Sequence, residues 1–278
     1  MRVLLAGATG AIGRATYDLL REAGHDVRCL VRRPNPDFGT DIVVGDALNP
    51  TSLEGAADRI EVVVSSIGAS VGLKMAGRAT YARVDVPANR NLIVEAERAG
   101  VGRFVYLGVH TGPGYDHTRY VRAHEDVCEL LAASPMSSTT IRPVGVFTAL
   151  DEFVSMARRG KAHVFGDGSA KTNPIHPLDV AQNVVRNVAE GPEDVSVGGP
   201  EVLTRRQIAE IAFEALGKSP RIGSVPPGLV HAMVPLMRPF HPRMADLVEF
   251  AVAVSTLDCV APVAGSRRLA DYFSELAG

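Results

Sequence analysis

MRVLLAGATGAIGRATYDLLREAGHDVRCLVRRP, residues 1–34, is the stretch whose reading decides the fold. Arg2–Ala6 has the length and apolar character of a buried parallel strand. Ile12–Ala23 reads as a helix, with Ile12, Ala15, Leu19 and Leu20 on one face and Gly24 just past its end. Val27–Val31 is the next strand. Between the first strand and the helix stands Gly7-Ala-Thr9-Gly10-Ala11-Ile12-Gly13. Gly7 permits a sharp turn, Gly10 carries no Cβ to hold a pyrophosphate off the backbone, and Gly13 lets the helix lie close to the strand. The helix N-terminus then offers unpaired N–H groups and a positive dipole end to an anion. Three glycines in this spacing also occur in plain strand-to-helix turns. Here the preceding strand, the following helix and the position at residue 7 favour a dinucleotide-binding loop.

The residues after the second strand bear on the choice of dinucleotide. NAD sites usually place an acidic residue there for the ribose 2′-hydroxyl; this chain has Val31-Arg32-Arg33-Pro34. Guanidinium groups at Arg32 and Arg33 match a 2′-phosphate, which predicts NADP, although paired arginines also occur on solvated turns. Asp46, followed by Ala47, can accept from an adenine amino group or cap the next turn. Ser65-Ser66-Ile67-Gly68 forms a small turn that lets backbone pass under the ribose and diphosphate.

Working outward, Asp41–Val44, Glu61–Ser65, Arg103–Leu107 and Ser138–Arg142 read as further strands, with helices over Val84–Ala99 and Tyr120–Ala133. The alternation predicts an α/β fold: a Rossmann-type doubly wound parallel sheet with a smaller, mostly helical C-terminal region covering the substrate. The dinucleotide-binding domain is expected over residues 1–145, with 174–200 returning to it, and the covering region over 146–173 and 201–278. Helices are expected at Asp151–Arg159, Pro177–Ala189 and Thr204–Leu216, the last capped by Thr204 and closed by Gly217, with a short strand at Ala162–Phe165. Prolines 220, 226, 227, 235, 239, 242 and 262 predict that the last third breaks into short helices.

Composition narrows the classes. A net charge of −2 over 278 residues gives no basic footprint for nucleic acid. Cys29, Cys128 and Cys259 lie far apart without metal-ligand spacing, so free thiols in a reducing compartment are expected, and neither zinc nor any other metal site. The chain opens directly into a strand, and its longest apolar stretches, Val225–Met237 and Leu247–Thr256, fall short of the roughly 20 residues of a membrane span. These features predict a soluble, cytoplasmic protein acting on a small molecule; no pattern specifies an oligomeric state.

The segments GATGAIG (7–13), VRCLVRRP (27–34), GDALNPTSL (45–53), VSSIGAS (64–70), RNLIVEAERAGVGRFVYLG (90–108), TTIRPVGVF (139–147) and PIHPLDVAQNVV (174–185) together resemble the atypical short-chain dehydrogenase/reductases, in their NmrA-like, NAD(P)H-binding branch. The resemblance implies a Rossmann sheet, NADP and small, often aromatic or quinone-like substrates. It also implies that Gly108 and Val109, and the backbone at Arg142-Pro143, lie beside the nicotinamide. The catalytic pattern departs from the family. No Ser follows the fifth strand, Asp85 stands where the family has Asn, and Tyr120-Val-Arg-Ala-His124 keeps the four-residue step of Tyr-x-x-x-Lys with His in place of Lys. Tyr120 and His124 share a helix face. An imidazole can serve as a general acid near neutral pH, can bond the ribose, or can be a helix-surface residue without chemistry. Tyr115, His110 and His176 are lesser candidates. An NADP-dependent oxidoreductase acting on a carbonyl, enone or quinone is the first expectation. A catalytically silent NADP(H) sensor is the second. A nucleotide-sugar epimerase-like enzyme is disfavoured by the missing lysine.

Overall fold

The computed structural model describes residues 1–68 and 79–278, so Ala69 and Ser70 of the fourth-strand motif lie outside the described residues. Its first half runs β1 (Arg2–Ala6), α1 (Ala11–Glu22), β2 (Asp26–Val31), β3 (Ile42–Val44), β4 (Val62–Ser65), α2 (Tyr81–Arg98), β5 (Arg103–Leu107), α3 (Arg119–Ala132) and β6 (Ser137–Pro143). Then follow α4 (Asp151–Arg158), β7 (Ala162–Phe165), β8 (Lys171–Thr172), α5 (Pro177–Arg186), β9 (Asp194–Val197), β10 (Leu203–Thr204), α6 (Arg205–Glu214), β11 (Ile222–Val225), α7 (Pro227–Met237), α8 (Pro242–Thr256) and α9 (Leu269–Ala277).

Seven strands form one parallel sheet in the order β3-β2-β1-β4-β5-β6-β9. The order reverses between β1 and β4, the crevice where such sheets bind ligands. Both faces are covered, which is why the central strands β1, β4 and β5 are largely apolar. Leu4, Val63, Phe104 and Tyr106 pack toward Ala88, Leu92 and Ala96 of α2 and Val127 of α3. Their neighbours Val3, Leu5, Val62, Val64 and Val105 point the other way, against Leu20 of α1 and Val180 and Val184 of α5. The Rossmann-type α/β architecture expected from the sequence is therefore present.

Besides the short strands β8, β10 and β11 and the helix α9, which the sequence reading does not contain, two features differ from expectation. The seventh strand, β9, was not anticipated: its four residues, Asp194-Val-Ser-Val197, are only half apolar and gain strand form from pairing with the edge of β6. The proline-rich last third is also less broken than predicted. Pro227 and Pro242 sit at the first helical positions, where a missing N–H costs nothing, and α8 then runs for 15 residues. A further core, drawn from α4, α6, α9 and the segment before α4, gathers Phe147, Val154, Ile208, Phe213 and Phe273. Thr204 caps α6 in a reciprocal box with Gln207, the two bonds measuring 3.1 and 2.8 Å. No helix among the described residues is long and apolar enough to cross a membrane.

A Cβ at Gly13 would stand 2.1 Å from the Gly7 carbonyl oxygen, whereas one at Gly102 would meet nothing within 4 Å. Gly13→Ala is expected to lower unfolding free energy by roughly 1–3 kcal/mol and Gly102→Ala by less than about 0.5. Urea denaturation of the two variants compares them; equal effects would show that α1 is free to move off the loop.

Candidate dinucleotide and active site

Gly7 has φ +89°, a conformation open to glycine, and a Cβ there would also press to 2.7 Å on the Ser66 backbone. The turn thus delivers the chain directly into α1. Gly10 is the N-cap and supplies no side-chain cap, and the first turn holds no acidic residue. Thr9, Gly10 and Ala11 are exposed and Ile12 is half-buried. The dipole end of α1 consequently faces outward beside the switch point, without a carboxylate to occupy it.

Arg32 and Arg33 follow β2 directly, both exposed, and neither makes an ion pair or side-chain hydrogen bond among the described residues. The neighbouring Asp37 faces Arg14 at 3.6 Å, and the Arg14 guanidinium lies 5.3 Å from the Phe38 ring centroid. Asp46 occupies the turn after β3. Its Oδ1 accepts from the Leu48 N–H at 3.0 Å and its own N–H donates to Ser52 Oγ at 2.9 Å, so one carboxylate oxygen serves as a turn cap. The Ala47 carbonyl accepts from Asn91 at 2.8 Å.

At the end of β4, Ser66 donates to the Ala6 carbonyl through its N–H at 2.9 Å and its hydroxyl at 3.1 Å, tying Ser66-Ile67-Gly68 to the glycine loop. Behind this turn Ser65 Oγ donates to Asn89 Oδ1 at 2.6 Å, and Asn89 Nδ2 donates to the Asp85 carbonyl at 2.8 Å. Asn89 was not singled out in the sequence. Its signal was available: it lies one turn after Asp85 on the side of α2 that meets the sheet.

Tyr120 and His124 stand one turn apart on α3, with ring centroids 4.9 Å apart. Tyr120 also packs on Tyr81 at 4.7 Å and Phe250 at 4.5 Å, enclosing its half-buried ring in an aromatic box drawn from α2, α3 and α8. Asp85 is fully buried, and its carboxylate lies 3.7 Å from where a Gly68 Cβ would sit. Burial first, then Tyr81 and Asp85, push the Tyr120 hydroxyl above the ordinary phenol range. His124 is 5% exposed, so it is not a helix-surface residue; its Nδ1 shares a 2.7 Å hydrogen bond with the Tyr106 hydroxyl. Burial, and to a lesser degree Arg142, push its pKa down to about 4. At neutral pH the pair is a protonated phenol beside a neutral imidazole.

The position just after β5, where the serine is missing, is crowded. A Cβ at Gly108 would lie 2.7 Å from Thr140 Cγ2, so position 108 admits a side chain only where the Thr140 methyl gives way. Val109 is held from the other side: Arg142 reaches its carbonyl at 3.3 Å while pairing with Glu125 and Asp194. The Arg142 side chain therefore clamps α3, β6 and β9, and the Pro143 carbonyl accepts from the His110 N–H at 3.0 Å. The remaining candidates point elsewhere. His110 Nδ1 meets Ser196 Oγ at 3.2 Å, the Tyr115 hydroxyl accepts from Cys259 at 3.3 Å, and His176 caps α5 by accepting from the Leu178 N–H at 3.0 Å.

A Rossmann sheet with an uncapped helix N-terminus at its switch point defines a dinucleotide-binding protein. The chain belongs to the NAD(P)H-binding family, whose model matches residues 7–191, in keeping with the resemblance to atypical short-chain dehydrogenase/reductases. Among curated relatives it is 26% identical over 278 residues to the chloroplastic divinyl chlorophyllide a 8-vinyl-reductase of Cucumis sativus, covering 89% of this chain and 65% of that protein. It is 23% identical over 286 residues to the photosystem II assembly factor Ycf39 of Guillardia theta, covering 100% of this chain and 87% of that one. Two solved structures share the fold. One is an NADPH-dependent quinone oxidoreductase of Escherichia coli in complex with NADPH, with TM-score 0.75, 19% identity and 100% of both chains covered. The other is a nucleoside-diphosphate-sugar epimerase of Staphylococcus aureus, with TM-score 0.78, 18% identity and coverage of 99% and 100%.

The depressed pKa of His124 makes a stability prediction. The unfolded chain takes up the proton near pH 6.5 and the folded one only near 4, so stability is lost as pH falls through that window. Between pH 7 and 4.5 the wild type is expected to lose on the order of 2–3 kcal/mol that His124→Gln retains. Parallel urea titrations measure this; identical losses in the two proteins would rule out a neutral buried imidazole.

Proposed function

We propose that this chain is an NADP-dependent oxidoreductase of the NmrA-like branch that reduces a small carbonyl, enone or quinone. The observation that carries the reading is the pair of uncommitted guanidiniums, Arg32 and Arg33, just past β2 and beside an uncapped helix N-terminus. The glycine loop would hold the diphosphate, with Thr9, Gly10, Ala11, Ile12 and Gly13 presenting backbone N–H groups. One or both arginines would take the 2′-phosphate. Ser66, Ile67 and Gly68 would line the ribose, Asp46 and Ala47 the adenine, and Gly108, Val109 and the Arg142-Pro143 backbone the nicotinamide side.

The bound cofactor supplies the hydride. Tyr120 supplies the proton to the substrate oxygen, since its hydroxyl stays protonated and His124 stays neutral through the physiological range. His124, held by Tyr106, positions the phenol rather than charging it. Without a permanent cation to lower the phenol pKa, Tyr120 acts as a hydrogen-bond donor to developing negative charge, as in an oxyanion hole. The box of Tyr81 and Phe250 suits a flat, apolar substrate. Residues 146–173 and 201–278 would cover it, and the free thiols fit the reducing cytoplasm.

A second reading, a catalytically silent NADP(H) sensor, has one observation in its favour: a phenol pushed up, not down, is poorly prepared for the proton chemistry of the family. NADPH oxidation against a panel of quinones, aldehydes and enones separates the two. Turnover in the wild type that falls roughly 10²–10⁴-fold in Tyr120→Phe supports the enzyme, and tight NADPH binding without turnover supports the sensor. The rate is expected to stay level from about pH 5 to 8, because neither Tyr120 nor His124 titrates there. Separately, Arg32→Ala/Arg33→Ala should weaken NADPH about 10–100-fold and NADH by less than about twofold. Equal losses, read by calorimetry, would remove the NADP assignment.

A further inference from the structure

His231 apart, helix α7 is apolar, yet only Val234 of its 11 residues is buried. No Asp, Glu, Lys or Arg occurs between Arg221 and Arg238. A helix of this composition ordinarily lies inside a protein. Here Val230, Val234 and Met237 turn toward the protein, while Leu229, Met233, Leu236 and, just beyond the helix, Phe240 form the outer stripe at steps of four, three and four residues. These four are 60%, 54%, 75% and 66% exposed. Together they present on the order of 500 Å² of apolar surface, the range in which a contiguous patch marks an interaction site. By itself this falls short of the roughly 800 Å² a side that a stable dimer buries.

The edge of the stripe is cationic. Between α7, the start of α3 and α8 lies an open depression of about 530 Å³, lined by Arg119, His231 and Arg238 with Glu249. Arg238 is already engaged by the buried Asp246 and, at 3.4 Å, by Glu249. Arg119 is exposed and has no ion pair among the described residues, and Arg122 follows one turn along α3 in the same condition. His231 and His241 are exposed as well. Against the carboxylates of Asp246 and Glu249 stand the guanidiniums of Arg238, Arg119 and Arg122, so these five side chains together carry one net positive charge, and its exposed bearers are Arg119 and Arg122.

We propose that α7 docks this chain on the surface of an anionic lipid bilayer. Leu229, Met233, Leu236 and Phe240 enter the headgroup–acyl boundary, and the Arg119 depression receives a lipid phosphate. The combination is that of an interfacial anchor: apolar side chains for depth, guanidiniums for the anionic headgroups. It places the protein on a membrane without spanning it.

Co-sedimentation of the full chain with vesicles of phosphatidylcholine containing phosphatidylglycerol, against vesicles of phosphatidylcholine alone, tests the proposal. Binding to the anionic vesicles is expected to exceed binding to the neutral ones and to weaken as salt is raised. Leu236→Asp/Phe240→Asp should reduce it roughly tenfold or more, and Arg119→Glu should reduce it with a shallower salt dependence. Both substitutions lie on the surface, so the circular-dichroism melt and NADPH affinity should match the wild type, separating lost docking from lost folding. Equal binding to both vesicle types, undiminished binding by the double variant, or a dimer that the double variant dissociates without any vesicle binding would each overturn it.

Discussion

The contact between α1 and the turn that precedes it sets the geometry of everything nearby. Gly13 sits so close to the Gly7 carbonyl, and Gly7 so close to Ser66, that β1, α1 and the end of β4 meet with no room for a Cβ. This brings the helix N-terminus to the point where the strand order reverses and leaves its first-turn N–H groups uncapped. On the proposed reading, a diphosphate would meet amides already aimed at it, which lowers the ordering cost of binding.

Around this loop, charges are divided into those the fold uses and those it leaves open. Arg142 is clamped between Glu125 and Asp194 and fixes the backbone at Val109. Asp46 caps its own turn. Arg32 and Arg33 are left without partners among the described residues, which is the condition under which a guanidinium is available to an incoming phosphate. The proton-bearing groups follow a different rule. Tyr120 and His124 lie where water is largely excluded, so both keep their neutral forms, the phenol pushed up and the imidazole pushed down. On the proposed reading, a histidine in place of the family's lysine would offer neutral hydrogen bonding instead of a permanent cation.

The C-terminal third shows how far tertiary context can redirect local signals. Pro227 and Pro242 start helices instead of ending them, because each falls at a first-turn position. The apolar run of α7 reads in one dimension as core, yet Leu229, Met233 and Leu236 on its outer half are exposed. Meanwhile Phe250 of α8 reaches back to Tyr120, so the same helical layer that carries the exposed stripe also closes the aromatic box.

The linear chain determined the glycine loop, the order of strands and helices through β6, and the arginine pair after β2, because each rests on local geometry or on residues adjacent in sequence. It also determined that Tyr120 and His124 share a helix face, since helical periodicity guarantees it. What only the folded molecule decided were relations across long sequence separations. These are the burial that neutralises His124 against Tyr106, the Thr140 methyl that crowds position 108, the Asn89 bond to Ser65, and the edge strand β9 drawn in by β6. Desolvation, steric contact and edge pairing belong to the neighbours a residue acquires on folding, and a sequence read one segment at a time does not contain them.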